Sequence, residues 1–486
     1  MNNEQCQEKD QLFYGDNLEV MRQFTSNSVD LCYIDPPFNS KRNYNQIYNN
    51  IGYEDVAQTL AFIDTWQWDE TAVAAMDEIQ ANAQGLYTIQ VVNLLEGLYK
   101  VLGSSALMAY LVSMTLRIAE IHRVLKPTGS LFLHCDPTAS HYLKLALDCV
   151  FCWQGGQYVN EIVWHYQTGG VSKRWLGKKH DIIFWYAKTK NYNFYPDSIR
   201  VPRTDEVLRR INSGVATATR ATTLDKYADD VFEIQALNAQ ARERLGYPTQ
   251  KPEALLERII KAASKEGDVV LDAFCGCGTT IAVAQRLHRK WIGIDITYNS
   301  IMLIEERLKN AYGTTLNYKL LGAPSDIESA RTLATRSDKT RKEFEKWAIL
   351  RFTNNKAMIN EKKGADNGID GRARTPDETG RYRDVLFSVK SGNYTIDNVR
   401  AFAKIISDNN AAAGFFIVMN RPSKTMKQIA AQMGFYRGQM ANPIAKMQFI
   451  MVSDMLTKKA LYPIPITAEV IKKAQIVGNA VQPALL

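Results

Sequence analysis

Residues 268–295 leave this chain little choice of fold. The apolar run Val269-Val270-Leu271 ends in Asp272, and Ala273-Phe274-Cys275 leads into Gly276-Cys277-Gly278. A helix-forming stretch follows from Thr279 to Leu287, then a second apolar run, Trp291-Ile292-Gly293-Ile294, ends in Asp295. Strand, tight glycine turn, helix and strand make a βαβ unit, whose two strands lie parallel in a helix-covered sheet. Glycines at 276 and 278 let a ligand approach the backbone at a helix N-terminus. Asp295, at the next strand end, is placed to hold two ribose hydroxyls, the logic of a nucleoside-binding unit. A Gly-x-x-x-x-Gly-Lys-Ser/Thr phosphate cradle is absent, and position 281 is Ile where a dinucleotide fingerprint requires glycine.

A second constraint comes from Val29-Asp30-Leu31-Cys32-Tyr33-Ile34-Asp35-Pro36-Pro37-Phe38. Two prolines cannot continue a ladder, so the strand stops there. Asp35 and Phe38 are then expected on a stiff turn at a strand's C-terminal end, where open α/β sheets hold ligands. The Asp35 carboxylate and Pro36 carbonyl are both acceptors and together can hold an NH2 group by its two hydrogens. Phe38 offers a flat apolar face to a planar ring. The plainer reading of the same residues is a structural turn.

The 486 residues suffice for two or three domains. Charge divides them unevenly. Residues 331–486 hold 26 Lys+Arg and 13 Asp+Glu, or +13, leaving 33 and 38, or −5, for residues 1–330. A basic C-terminal domain on an acidic remainder suggests a polyanion partner, most simply nucleic acid. Seven cysteines, an odd count, predict free thiols in a reducing, cytoplasmic compartment. Neither their spacing nor the six histidines suggests a structural metal. Met1 to Asp10 is polar, without a signal pattern, and the apolar run Val101 to Leu116 reads as a buried helix, not a membrane span.

Around Gly15-Asp16-Asn17 a short strand gives way to a helix. Asp16 or Asn17 is either its cap or a ligand contact at a strand end. Residues 39–125 are helix-rich, with Trp66 and Trp68 as packing residues. A helix from Leu107 to Leu125 is expected to stop at Lys126-Pro127-Thr128-Gly129, before a strand from Ser130 to Asp136. Residues 167–180 and 200–246 are polar, basic and without clear period. Lys173, Arg174, Lys178 and Lys179 surround Trp175, a composition suited to nucleic-acid backbone and base stacking or to an ordinary exposed loop. Residues 311–340 look like a linker or small adapter.

Asp35-Pro36-Pro37-Phe38, the segment Pro248-Thr249-Gln250-Lys251-Pro252-Glu253, and Asp272-x-Phe274-x-Gly276-x-Gly278-Thr279 occur in an order that resembles the β group of amino-methyltransferases. These act on N6 of adenine or N4 of cytosine in DNA. The resemblance covers roughly residues 11–310. It implies a doubly wound, mostly parallel α/β sheet in circularly permuted order, with S-adenosylmethionine as cofactor. Asp16, with Asn17 beside it, would face the cofactor adenine, and Asp295 the ribose. Asp272, Phe274, Gly276, Gly278 and Thr279 would line the methionine and ribose side, and Lys251 and Pro252 would pack over the methionine end. Asp35, Pro36, Pro37 and Phe38 would be catalytic, with target recognition within about 165–246. Double-stranded DNA is the implied partner, with no membrane, a place in a restriction–modification or defence system, and a homodimer among the open states. Asp at position 35 leans towards adenine; cytosine N4 and an RNA substrate are the alternatives.

Near the C-terminus, Gly364 to Gly371 contains Asp366 and Asp370, a polar hairpin follows, and Asp384 to Lys390 reads as a strand. An Asp before a hairpin with Lys on the next strand resembles the restriction-endonuclease-like (PD-(D/E)xK) core, an α/β domain over residues 331–486 beside a methyltransferase domain over 1–330. In that core two carboxylates bind Mg2+ and the Lys activates water. The departure is Ser388, where the motif has an acid two residues before Lys390. Unless Glu343, Glu345 or Asp366 substitutes, Mg2+ lacks a ligand, and it is implied only if the domain cleaves DNA. Cleavage and a purely DNA-binding module are the competing expectations.

Overall fold

The computed structural model describes residues 10–37, 66–135, 138–167, 173, 174, 176–214, 223–238, 240–245, 247, 249–313, 316–335, 338–353, 357–360, 368–377, 381–437, 443–457 and 462–464. Phe38, Trp175, Pro248 and Asp366 lie outside them.

Strands β1 (Asp10–Tyr14), β2 (Val29–Ile34), β3 (Leu125–Cys135), β4 (Gln157–His165) and β5 (His180–Ala187) are followed by a short ribbon of β6 (Val201–Pro202) with β7 (Asp225–Lys226). Then come β8 (Val231–Glu233), β9 (Val269–Asp272), β10 (Lys290–Asp295) and β11 (Tyr318–Leu321). Apart from the ribbon these form one sheet in the order β11-β1-β10-β9-β2-β3-β5-β4-β8. All neighbours run parallel except β5, which is antiparallel to β3 and β4. The sheet is doubly wound. Leu31 and Tyr33 join a core with the helices Glu253–Ala263, Thr279–Arg286 and Tyr298–Tyr312. Cys32 and Ile34, on the other face by strand alternation, join a core with Glu70–Ala81, Ile89–Leu102, Ala106–Val124 and Ser140–Phe151. In space β2 lies beside β9, so the two segments most informative in the sequence end side by side.

Three local expectations change. The apolar run 101–116 is two helices: Ile89–Leu102 closes on Gly103 at φ +57°, and Ser105 caps Ala106–Val124 by accepting from the Met108 amide at 3.2 Å. β3 starts at Leu125, without a separating loop. Leu125 pairs with Val29 and Ser130 with Leu31, so Lys126 to Gly129 bulge out, where Pro127 needs no ladder donor. The supposed linker supplies edge strand β11 and the helix Ile327–Thr335. Trp66 and Trp68 do pack, against Tyr110 and Tyr99 with ring centroids at 5.3 and 5.0 Å.

A second sheet contains β12 (Met358–Ile359), β13 (Gly371–Pro376), β14 (Tyr382–Lys390) and β15 (Ala413–Val418). After a small hairpin of β16 (Phe435–Tyr436) with β17 (Ile444–Ala445), β18 (Met447–Met451) completes it in the order β12-β13-β14-β15-β18. The first three strands are antiparallel and the last three parallel. The helix Asp338–Thr353 packs on β14 and on the helix Tyr298–Tyr312, so Phe344, Trp347 and Ala348 share one apolar core with Ile301, Ile304, Phe387 and Phe415. The six described cysteines are free. Among the described residues no helix is long and apolar enough to cross a membrane.

Candidate active site

The C-terminal ends of β1, β10, β9 and β2 bring Asp16, Asp295, Asp272 and Asp35 to one sheet edge. This is the edge at which an open α/β sheet binds its ligand.

Asp35 follows β2 on the side of Tyr33, towards the helix Glu253–Ala263, whose preceding turn carries Lys251. Lys251 Nζ is paired with Asp35 Oδ2, the side chains 12% and 17% exposed. The structure thus sets Lys251 on the carboxylate of the Asp-Pro-Pro turn. Beside it runs a buried chain: His134 Nδ1 is 3.0 Å from the Tyr33 hydroxyl, His134 Nε2 is 3.3 Å from Asp181, and the Tyr166 hydroxyl donates to Asp181 at 3.3 Å. Burial pushes Asp181 up, but His134, Lys251 and Tyr166 together outweigh it and hold the carboxyl below its ordinary value.

Asp272 is fully enclosed. It accepts from Thr280 and from the Phe274 amide at 3.0 Å. Burial pushes its pKa up to about 7 against these bonds, and the charges of Asp35 and Asp295 add to the rise. A carboxyl raised in the folded state costs nothing below its ordinary 3.8 and destabilises increasingly as pH rises from there through about 7. Asp272→Asn is therefore expected to melt higher than the wild type near pH 8, with the difference shrinking towards about pH 5 in thermal scans. A pH-independent difference would assign the enclosed charge no cost.

Asp295 accepts from the Gly276 amide at 2.9 Å and from the Thr297 amide and hydroxyl, each at 2.8 Å. These bonds tie the glycine turn to the end of β10, and a carboxylate's remaining lone pairs can still accept hydroxyls. Gly276 and Gly278 have φ of +48° and +74°. A Cβ on Gly276 would lie 3.2 Å from Tyr247 Cε1, and one on Gly278 2.6 Å from Ile304 Cγ1. Side chains, not open space, therefore cover both glycines here. Thr279 opens the helix after the turn and is buried; Pro252 caps Glu253–Ala263 and is buried too.

Asp16 is a helix cap, its Oδ1 accepting from the Leu18 and Glu19 amides, while its Oδ2 pairs with Arg117 at 2.9 Å. Asn17 is buried, donates to the Ala273 carbonyl at 2.7 Å, and accepts from Arg117 Nε at 2.6 Å. Sequence reasoning missed Arg117, although an arginine inside an apolar helix needs an acidic partner. Burial pulls its pKa down, with Asp16 opposing. It also missed Tyr247, whose hydroxyl is 3.3 Å from Ser300 Oγ, and the His134–Asp181 pair.

Residues 29–306, more than half of the chain, match the family described as DNA methylase, of N6/N4 type. The chain belongs to the N6/N4 DNA methylase family. This methylase is 27% identical over 320 residues to the type II methyltransferase M.HpaI of Haemophilus parainfluenzae, across 65% of the chain and 80% of that protein. It is 29% identical over 299 residues to the DNA adenine methyltransferase YhdJ of Escherichia coli K12, across 61% and 82%. Among solved structures, the PvuII DNA methyltransferase (cytosine-N4-specific) matches with a TM-score of 0.38 at 15% identity over 64% of this chain and 94% of its own. The M1.HpyAVI–SAM complex matches with 0.34 at 17% over 61% and 98%.

Residues 341–441 match the family described as NACHT-associated inactive Restriction Endonuclease 1. The methylase therefore carries a restriction-endonuclease-like domain, of a family described as inactive. Asp370, just before β13, accepts from the Val389 amide at 2.7 Å and from the Ser388 hydroxyl at 3.4 Å, so its Oδ2 is occupied by the chain itself. Lys390 Nζ lies 5.9 Å from the Phe416 ring centroid. Burial raises the Asp370 carboxyl, the Val389 amide and Lys390 lower it, and Glu345 raises it. Among the described residues no three His, Cys, Asp or Glu side chains gather as a metal-holding group.

Proposed function

We propose that this methylase transfers a methyl group from S-adenosylmethionine to N6 of adenine at a specific site in double-stranded DNA. The observation that carries the reading is Asp35 itself. Its carboxylate ends β2 beside β9, one oxygen is held by Lys251, and among the described residues no hydrogen bond reaches the other.

The residues present suit that cofactor. Carboxylates at adjacent strand ends fit a ligand that is at once cationic and rich in hydroxyls. Asp16 and Asn17 would stand at its adenine, Asp295 at its ribose, and Asp272, Phe274, Gly276, Gly278, Thr279 and Pro252 along the remainder. S-adenosylmethionine supplies an electrophilic methyl group on a sulfonium. The other Asp35 oxygen and the Pro36 carbonyl accept the two amino hydrogens, which draws the nitrogen towards a pyramidal, nucleophilic form. Pro36 and Pro37 keep the turn stiff, and Phe38 would stack on the flipped base.

Adenine is favoured by Asp at position 35 and by the relative named a DNA adenine methyltransferase. Relatives named type II methyltransferases favour a place in restriction–modification. Nucleoside mass spectrometry on DNA incubated with protein and S-adenosylmethionine tests the reading. N6-methyladenine is expected; N4-methylcytosine would overturn the base assignment, and no methylated base on several genomic DNAs would overturn the reaction.

Residues 331–486 are read as a basic DNA-binding module that does not cleave, and residues 1–330 as the methyltransferase domain, with recognition within about 165–246. No Mg2+-dependent nicking is expected. Asp370→Ala is expected to cost about 1–3 kcal/mol of stability in denaturant titration, because a buried Val389 amide loses its acceptor. Nicking abolished by Asp370→Ala or Lys390→Ala would reverse this reading.

A further inference from the structure

The assignment of Asp35 as the amino-group acceptor leaves open what holds its carboxylate still. A carboxylate at the end of a strand can rotate about its terminal bond and present either oxygen. Here one oxygen is taken by a cation and the other is open among the described residues. Lys251 enters from the turn before the helix Glu253–Ala263, an element packed on β2 and β3. Its charge also acts on Asp181, a carboxylate fixed by His134 and Tyr166, with His134 held in turn by Tyr33 on β2.

We propose that Lys251 is a positioning residue for methyl transfer: its ammonium fixes one oxygen of Asp35 and leaves the other to accept from the target amino group. Lys251 is paired directly with Asp35, and its charge also helps hold the Asp181 carboxyl below its ordinary value. Asp35, Asp181, Asp272 and Asp295 concentrate negative charge at this edge, and Lys251 offsets part of it before any ligand arrives. The motif around Lys251 implies contact with the cofactor; the geometry assigns it to the acceptor instead. This rests on the reading of Asp35 given above.

The test uses the full chain as wild type, Lys251→Met, Lys251→Arg, Asp35→Asn and the double variant D35N/K251M. Single-turnover methyl transfer is measured at saturating DNA and cofactor, cofactor Kd by calorimetry, and melting temperature by scanning. Lys251→Met is expected to slow transfer about 100-fold, the scale of a misplaced reacting group. Its cofactor Kd is expected within about threefold of wild type, and Lys251→Arg to recover transfer to within about tenfold. The double variant is expected to lose less melting temperature than the two single losses summed, the mark of a direct pair.

A Lys251→Met enzyme whose rate recovers once cofactor is raised to saturation would make Lys251 a cofactor ligand and overturn the proposal. So would additive melting losses with an unchanged rate. If Lys251→Met does not fold, Lys251→Arg and the double variant still report on the pair. A wild-type protein that methylates no DNA overturns the reading of Asp35 and this proposal with it, whereas a failure confined to the Lys251 variants leaves that reading standing.

Discussion

Asp35→Ala is expected to reduce methyl transfer by about a thousandfold or more, while cofactor binding stays within about tenfold of wild type. The asymmetry follows from the geometry. Asp35 pairs with Lys251 at the end of β2, beside β9, whereas the glycine turn is held by Asp295, Asp272 and Thr280, none of which bonds to Asp35. Removing the carboxylate deprives the amino group of its acceptor and leaves the turn intact. Asp35→Asn is the sharper companion, since it retains an oxygen of nearly the same shape but gives up the charge that pairs with Lys251. Both are read by single-turnover incorporation of labelled methyl groups into DNA and by calorimetric titration of the cofactor. Equal loss of transfer and cofactor affinity would point to a folding defect and would withdraw the assignment of Asp35.

Trp347→Ala is expected to cost about 3–5 kcal/mol, the scale of truncating a large buried aromatic. Trp347 is fully buried, and its helix packs at once on the helix Tyr298–Tyr312 of the first sheet and on β14 of the second. The loss should not stay in the second sheet. Trp347 shares one apolar core with Tyr298, Tyr298 meets the Tyr14 ring edge-on at 5.5 Å, and the Tyr14 hydroxyl donates to Glu343 at 3.1 Å. Thr297, beside Tyr298, is one of the residues that bond Asp295. Weaker cofactor binding is therefore expected together with the lower stability, measured by denaturant titration and calorimetry on the same variant. A loss below about 1 kcal/mol with unchanged cofactor affinity would make this helix an appendage to the methylase core.

The parts of the site that were legible in the sequence are those made by neighbours in the chain. An apolar run stopped by Asp35-Pro36-Pro37, and one that ends in Asp272 before Gly276 and Gly278, each carry their own backbone instructions. Strand propensity, ring-fixed φ and positive φ act over a few residues. That Asp272 and Asp295 finish parallel strands of one sheet follows from the βαβ pattern, whereas the place of Asp35 beside them was implied only by the family resemblance. The helix break at Gly103 to Ser105 was just as local, but there the apolar composition on both sides masked the capping signal.

What stayed hidden were the pairings across the chain. Lys251 and Asp35 are 216 positions apart, Asn17 and Ala273 are 256 apart, and Arg117 reaches Asp16 over 101. No periodicity links such residues; they meet because β2 inserts between β9 and β3, and because β1 lies beside β10. The same holds for Tyr247 against Gly276, where a glycine read as an opening for ligand also admits a ring. Residue types and turn chemistry alone therefore determined which groups could act and that they would end strands. Strand order and helix packing decided which oxygen of Asp35 is held, which cation holds it, and that the helix Asp338–Thr353 serves two sheets at once. The division has a physical cause: backbone preferences are set within a few residues, while an ion pair or a shared core exists only after distant segments have been brought to one place.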